Sequence, residues 1–334
     1  MTRRVAIGSV LAACAVAARL GALLGASAPV EYRISIPEPE HHWLNVEMTL
    51  RDIEPGPLEL VMSRSSPGRY ALHDFAKNVY DLAVEDLDGR PLGVARPDPA
   101  RWVVEAPGIA LRVRYKVFGD VVDGTYLGVD ETHAHINMPA ALMWARGFDD
   151  RPATVAFEPP ETTWRVATQL LPGGSPFEFT APNLQYLMDS PVEIGPIETR
   201  EFSTGGRQFR LAVHHTGRNA IAMDRLARDA MRIVSEERAV FGEFPAFESG
   251  RYTFLGDFLP EARSDGMEHR NSTVMTAPAT LERNHGDVLG TMAHEFFHVW
   301  NVERVRPRSL EPFALDRVNP SPDLWLAEGF TQYY

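Results

Sequence analysis

Cysteine is nearly missing from this 334-residue sequence: Cys14 is the only one. Beyond it no disulfide can brace the chain, and no thiolate can serve as a nucleophile or soft metal ligand. Positive charge is scarce too, with 33 Lys and Arg against 45 Asp and Glu for a net charge of -12. That balance excludes a phosphate-neutralising surface, so nucleic acid is not an expected partner and an anionic membrane face would repel the chain. After the first 28 residues no stretch approaches the ~18 apolar residues of a membrane helix, and there is no internal repeat or low-complexity linker. No stable membrane domain is therefore expected beyond the N-terminal segment. What is abundant is apolar residues, 44% of the chain, enough at this length for two domains at about 100–200 residues each.

The first segment has its own character. Arg3 and Arg4 precede an apolar stretch, and Ala26-Ser27-Ala28 offers the small residues of a cleavage site. This predicts an export signal over residues 1–28 and a periplasmic or secreted protein. The alternative is a lipoprotein-like box at Leu11-Ala12-Ala13-Cys14, with a lipid anchor at Cys14 or an uncleaved anchor.

Residues 30–200 read as β structure. YRISI, LNVEMTL, LELVMS, RWVVEA, LRVRYKVFG and ATVAFEP are short, partly alternating and separated by Pro, Gly and Asp-Gly turns, the pattern of a β-sandwich-like domain. Residues 201–334 mix helix and strand. A helical pattern from Asn219 to Phe241 places Met223, Leu226, Ala227, Ala230, Val234 and Phe241 on one apolar face; a strand RYTFLGDF, an extended piece GMEHRNSTVMTAP and a further helix follow. The fold class is α+β. The last segment, WLAEGFTQYY, should begin its helix with Ser321 as N-cap and Pro322 as first helical residue. It reaches Tyr334 without a Gly or Asn cap, a polar tail or a Pro, so the expectation is a catalytic domain that continues past this point.

The chemistry concentrates in TMAHEFFHVWN. On an α-helix His294 and His298 stand one turn apart, about 6 Å along the axis, so both imidazoles can meet one metal ion at ~2.0–2.1 Å. Glu295 is rotated about 100° from His294, where it can reach the attacking water rather than compete as a ligand. The helix is expected to run until Pro307 ends it. A third histidine of the metzincin pattern is absent, since Asn301 and Arg304 hold the relevant positions. Glu303, Glu311 and Glu328 are the carboxylate candidates. Glu303 would point away from the metal face of the same helix, and Glu311 sits in a Pro-flanked loop. Glu328 lies on a separate helix and can close a tetrahedral zinc site from the other side while one position stays open. Asn301, on the face of the two histidines, is a candidate to orient an imidazole or the Glu328 carboxylate. Tyr333 and Tyr334 point away from the metal face, so the donor to a developing oxyanion is expected past residue 334. His133, His135, His214 and His215 show neither a carboxylate partner nor ligand spacing and are expected to be structural.

HEFFHVWN, followed by WLAEGFTQYY with Glu328 thirty positions after His298, resembles the M61 glycyl aminopeptidases, gluzincin relatives of the M1 aminopeptidases. SSPGRYALHDFAKNV, FTAPNLQYLMDSPVEIG and GMEHRNS extend the resemblance over nearly all of the chain beyond the export segment. It implies an N-terminal β-domain, a thermolysin-like catalytic domain, one zinc ion, and further helical and PDZ parts beyond residue 334. On the residues alone, the strand carrying Glu268 reads equally well as a solvated edge. Beside the resemblance, Gly266, Met267 and Glu268 look like the Gly-x-Met-Glu-Asn strand of M1 enzymes, whose glutamate holds the substrate's α-amine; Gly266 directly precedes Met267, and His269 stands where asparagine would be. The implied function is a zinc aminopeptidase acting on peptides with a free N-terminus and a small first residue, Gly or Ala. An endopeptidase of the same class and a zinc-stabilised peptide-binding protein are the alternatives. The 334-residue chain by itself is expected to be weakly active or inactive.

Overall fold

The computed structural model describes residues 27–106, 108–217 and 220–334. Cys14 and nearly all of the expected export signal lie outside them. The first half is built from sheets, as its alternating stretches require. A seven-stranded sheet runs in the order Leu171–Pro172, Glu178–Ala181, Ala153–Glu158, Val30–Ser35, Trp43–Ile53, Ile109–Phe118 and Val79–Glu85. A four-stranded sheet runs Met143–Ala145, Gly56–Met62, Arg101–Ala106 and Val94–Asp98. Inward residues of both, among them Ile34, Met48, Leu60, Trp102 and Leu111, form one continuous core. Two layers sharing a core of alternating inward side chains is sandwich packing. A third sheet, Arg165–Thr168, Val192–Gly195, Ala134–Ile136 and Leu127–Val129, faces the second half.

The second half carries a mixed five-stranded sheet ordered Glu198–Thr204, Arg207–His215, Arg251–Phe258, Ser272–Ala277 and Asp265–His269. Its sheet begins at Glu198, close to where the sequence changes texture. Arg207–His215 and Arg251–Phe258 pair in parallel, and the Ala220–Phe241 helix makes the crossover between them, the connection parallel strands need. GMEHRNSTVMTAP, read as one extended piece, is a hairpin: Asp265–His269 and Ser272–Ala277 pair antiparallel across Arg270 and Asn271.

Alternation on these strands sorts the side chains. Ala212, Leu255, Met267 and Val274 face the first half, whereas Val213, Phe254, Phe258 and Met275 face the helices. The His285–Phe297 helix packs on that second face through Phe296, which touches Phe209, Tyr252, Phe254 and Trp300. Truncating such a fully buried ring to alanine costs about 3–5 kcal/mol. This packing pins the helix that presents the two histidines. Among the described residues no helix is long and apolar enough to cross a membrane.

Candidate active site

The motif helix ends earlier than its sequence promised. It spans His285–Phe297 with His298 as C-cap, ten positions short of Pro307. The termination is local: Nδ1–H of His298 donates to the Asn301 carbonyl at 2.7 Å, and the backbone N–H of Glu303 donates to the His298 carbonyl at 3.0 Å. Glu303 is thus off the helix, buried and paired with Arg306 at 2.9 Å. Glu311 is a surface partner of the same arginine. Neither joins the histidines.

Glu328 does. Nε2 of His294 and Nε2 of His298 are 3.2 Å apart, and Oε2 of Glu328 lies 3.5 and 3.6 Å from them. Three donors bound to one tetrahedral zinc at ~2.0–2.1 Å would stand about 3.3–3.4 Å from each other, so the donor set fits. The tautomer fits as well: with its Nδ1–H committed to Asn301, His298 aims Nε2 at the group, where a metal ion could take the place of a proton. The charge calls for a cation. Burial by itself would lower the His298 imidazole, but the Glu268, Glu328 and Glu295 carboxylates pull it up to about 10. Burial would likewise raise Glu328, yet the two imidazoles and the Tyr70 hydroxyl outweigh it and hold its carboxyl well below the usual range.

The segment bearing Glu328 is not the ordinary helix expected from a Ser321 cap. Ser321 Oγ does accept from the Asp323 N–H at 3.2 Å, but Trp325–Phe330 is wound as a π-helix, followed by a short turn of α-helix at Thr331–Tyr333. The side chain of Asn301 secures it, donating to the carbonyls of Leu326 and Ala327 at 2.9 and 3.2 Å and standing 3.0 Å from Thr331 Oγ1. Asn301 therefore serves both segments, its backbone carbonyl holding His298 and its amide holding the π-helical turn of Glu328. Tyr333 is exposed and Tyr334 stacks on Phe297; neither approaches the histidines among the described contacts.

Glu295 and Glu268 approach each other from facing elements. Glu295 is 7% exposed, on the helix; Glu268 is 5% exposed, on the edge strand. Their carboxylate oxygens and a ring nitrogen of His298 all lie within 4.8 Å of one another. Burial first, then the adjacent Glu268 charge, pushes the Glu295 carboxyl well above its ordinary value. Gly266 permits this approach: a Cβ there would stand 2.2 Å from Glu295 Oε1. Met267 points the other way, into the core shared with Leu255 and Val274. Its side chain cannot line a substrate site, a correction that follows from strand alternation, since only Gly266 and Glu268 face the helix. His269 is buried against Asp189 at 2.9 Å.

Two participants were invisible in the sequence. Tyr70, from the first half, donates its hydroxyl to Glu328 Oε1 at 3.0 Å. Arg69 pairs with Asp265 and donates to the Gly266 carbonyl at 3.2 Å, pinning the start of the edge strand. Both lie in SSPGRYALHDF, a segment that drew notice only as a resemblance; a contact spanning 258 positions has no local signature. The histidines expected to be without carboxylate partners also have them: Asp130 beside His133, Glu193 beside His135, Asp257 beside His214 and Glu198 beside His215.

Beside the helix and edge strand runs a cleft of about 660 Å³, lined by Asp265, Gly266, Thr291, His294 and Glu295 among others. It is large enough for a short peptide.

Comparison with known proteins places this geometry. The M61 peptidase N-terminal domain profile matches residues 31–196, and the M61 glycyl aminopeptidase profile matches residues 287–334. Among curated proteins, none matches the chain. A crystal structure of an aminopeptidase N family protein from Idiomarina loihiensis is 26% identical with a TM-score of 0.84, over 91% of this chain and 53% of that one. An M1 zinc metallopeptidase from Deinococcus radiodurans is 18% identical with a TM-score of 0.50, over 92% of this chain and 69% of that one. A mutant of that enzyme bound to a Tyr-Ser-Ala substrate has the same TM-score and coverage at 19% identity. This chain thus spans about half the length of the Idiomarina protein, and the likeness to the Deinococcus enzyme is one of fold. With both family profiles in chain order and the second ending on the histidine and glutamate segments just described, the chain belongs to the M61 peptidase family.

Proposed function

We propose that this chain is the core of a zinc aminopeptidase that removes small N-terminal residues such as Gly and Ala. The observation that carries the reading is Glu268. It is a mostly buried carboxylate close to Glu295 and His298, with no hydrogen bond and no ion pair among the described residues. A carboxylate so little exposed has few waters to solvate it, and a peptide's α-ammonium supplies a charged donor. Gly68 favours a small first residue: a Cβ there would lie 2.9 Å from Glu268 Oε2, so the loop backbone already rests on the carboxylate and leaves little room beyond the amine.

His294, His298 and Glu328 would hold the zinc, which when bound polarises the scissile carbonyl and acidifies the attacking water. Glu295 takes the water's proton and then delivers it to the leaving nitrogen, a role suited to a carboxyl whose proton affinity is raised by burial. Asn301 and Tyr70 hold the ligand side chains in place.

The test is selective binding. A zinc-loaded Glu295→Gln chain should bind glycyl and alanyl peptides in calorimetry and fail to bind the same peptides N-acetylated, with Glu268→Ala abolishing the difference. Equal binding of blocked and free peptides would overturn the aminopeptidase reading. Internal cleavage of blocked peptides by the unmutated chain would make it an endopeptidase.

A further inference from the structure

The junction between the two halves holds five ionisable side chains away from water. His133 and His135 flank Ala134 on one side, with Glu193 on the neighbouring strand; His214 and Asp257 come from the other side, at paired positions on adjacent parallel strands. His133, His135 and Asp257 are fully buried, and Glu193 and His214 nearly so. Nε2 of His133, Nδ1 of His214, Oε2 of Glu193 and both carboxylate oxygens of Asp257 have no hydrogen-bond partner among the described residues. An interior satisfies nearly all such atoms, and each exception costs about 1–3 kcal/mol. Five together need a common explanation.

The orphaned atoms converge. His133 Nε2 lies 3.7 Å and His214 Nδ1 3.6 Å from the same oxygen, Asp257 Oδ1. These separations match those around Glu328 Oε2, 3.5 and 3.6 Å. His133 is prepared as a ligand: its Nδ1 faces Asp130 Oδ1 at 3.2 Å, which fixes the proton there and leaves Nε2 as a bare lone pair, the carboxylate–histidine arrangement found behind metal ligands. His135 donates through Nε2 to the Asp123 carbonyl at 2.8 Å and sets Nδ1 between Glu193 and Asp257 Oδ2, steadying the carboxylate that both other histidines approach.

We propose that His133, His214 and Asp257 form a second divalent-cation site, filled by zinc. Two imidazoles and a carboxylate are a zinc donor set, whereas calcium or magnesium would ask for oxygen ligands. A groove of about 800 Å³ lined by Thr132, Arg165, Glu198, His214 and His215 among others supplies an approach. The His133 and His214 rings lie stacked, centroids 4.2 Å apart and planes 18° apart, so their lone pairs do not yet meet. Closure takes a turn of the His214 ring, the ligand that faces the groove. The ion would tie the first half to the ends of two parallel strands of the second, a structural clamp independent of the peptidase reading.

Zinc-edge anomalous diffraction from crystals of the purified chain, together with its metal content in solution, tests this. Two ions per chain are expected, with one anomalous peak among His133, His214 and Asp257. His298→Ala should retain one ion at that cluster; His214→Gln should lose that ion and keep the one at His294 and His298. A single ion in the unmutated chain, none in His298→Ala, and no peak at the cluster would overturn the site in favour of a metal-free network of protonated imidazoles and carboxylates. Should His214→Gln fail to fold, the anomalous map of the unmutated chain decides alone.

Discussion

Replacing Tyr70 by phenylalanine isolates one bond. The hydroxyl lies 3.0 Å from Glu328 Oε1 while Oε2 of the same carboxylate faces both histidines. Removing it deletes one hydrogen bond to a charged acceptor, worth about 1.5–3 kcal/mol. Glu328 keeps 39% of its side chain exposed, so water can replace part of the lost donor and the lower end applies. At 1.36 kcal/mol per factor of ten, that is about a tenfold weaker zinc affinity, in the range typical of groups that orient metal ligands. The assay is competition with a fluorescent chelator at fixed pH, with melting of the zinc-free chain as a control for folding. A Glu328→Gln background supplies the second arm: there, Tyr70→Phe should add much less, because the charged acceptor is gone. Zinc affinity within twofold of the unmutated chain, with the fold intact, would refute the idea that Tyr70 positions the ligand.

Further expectations are as follows. Glu328→Ala should lose zinc binding by two orders of magnitude or more, read by metal analysis after dialysis; unchanged affinity would remove it from the ligand set. Glu295→Gln should keep zinc and melting temperature but abolish any peptide hydrolysis, and a parallel loss of zinc would instead make it a ligand. Gly266→Ala must move Glu295, since the new Cβ would overlap its Oε1 and stand 2.7 Å from Thr291 Cγ2; a stability loss of about 1–3 kcal/mol in denaturant titration is expected for such overpacking. Burial raises the Glu237 carboxyl to about 9. Its folded form thus holds a proton that the unfolded chain releases near its ordinary value, and stability from this group is full at low pH and falls as pH rises toward 9. Glu237→Gln should accordingly stabilise the chain at pH 8, on the order of 1–3 kcal/mol, and change little at pH 4.5, as urea melts at both pH values would register.

What the sequence disclosed follows from range. His294, Glu295 and His298 are set by one helical turn, and the spacing alone brings them to one site. The place of Glu328 beside the histidines was reachable by elimination, because Glu303 and Glu311 stand away from them. The strands of the first half announced themselves by alternation, and alternation also explains the error at Met267, whose neighbours face the cleft while it faces the core. The helix end was misjudged because a proline is a visible stop, whereas the bonds between His298, Asn301 and Glu303 form only once the chain has turned. The buried histidines were read as unpartnered because most of their partners are remote; Glu193 lies 58 positions from His135. The π-helical winding around Glu328 leaves no mark in composition or period.

The Pro67-Gly68-Arg69-Tyr70 loop has an implication for how such a chain matures. It touches the edge strand, the Glu268 carboxylate and Glu328 at once, yet it is made more than two hundred positions before Glu328. A nascent or proteolytically separated second half could present its histidines with neither the anchor on Asp265 nor the hydroxyl on Glu328. Competence would then arrive only when both halves have met, which builds latency into biosynthesis. For the protein engineer the same fact forbids treating the second half as a portable module: any graft would have to carry this loop with it.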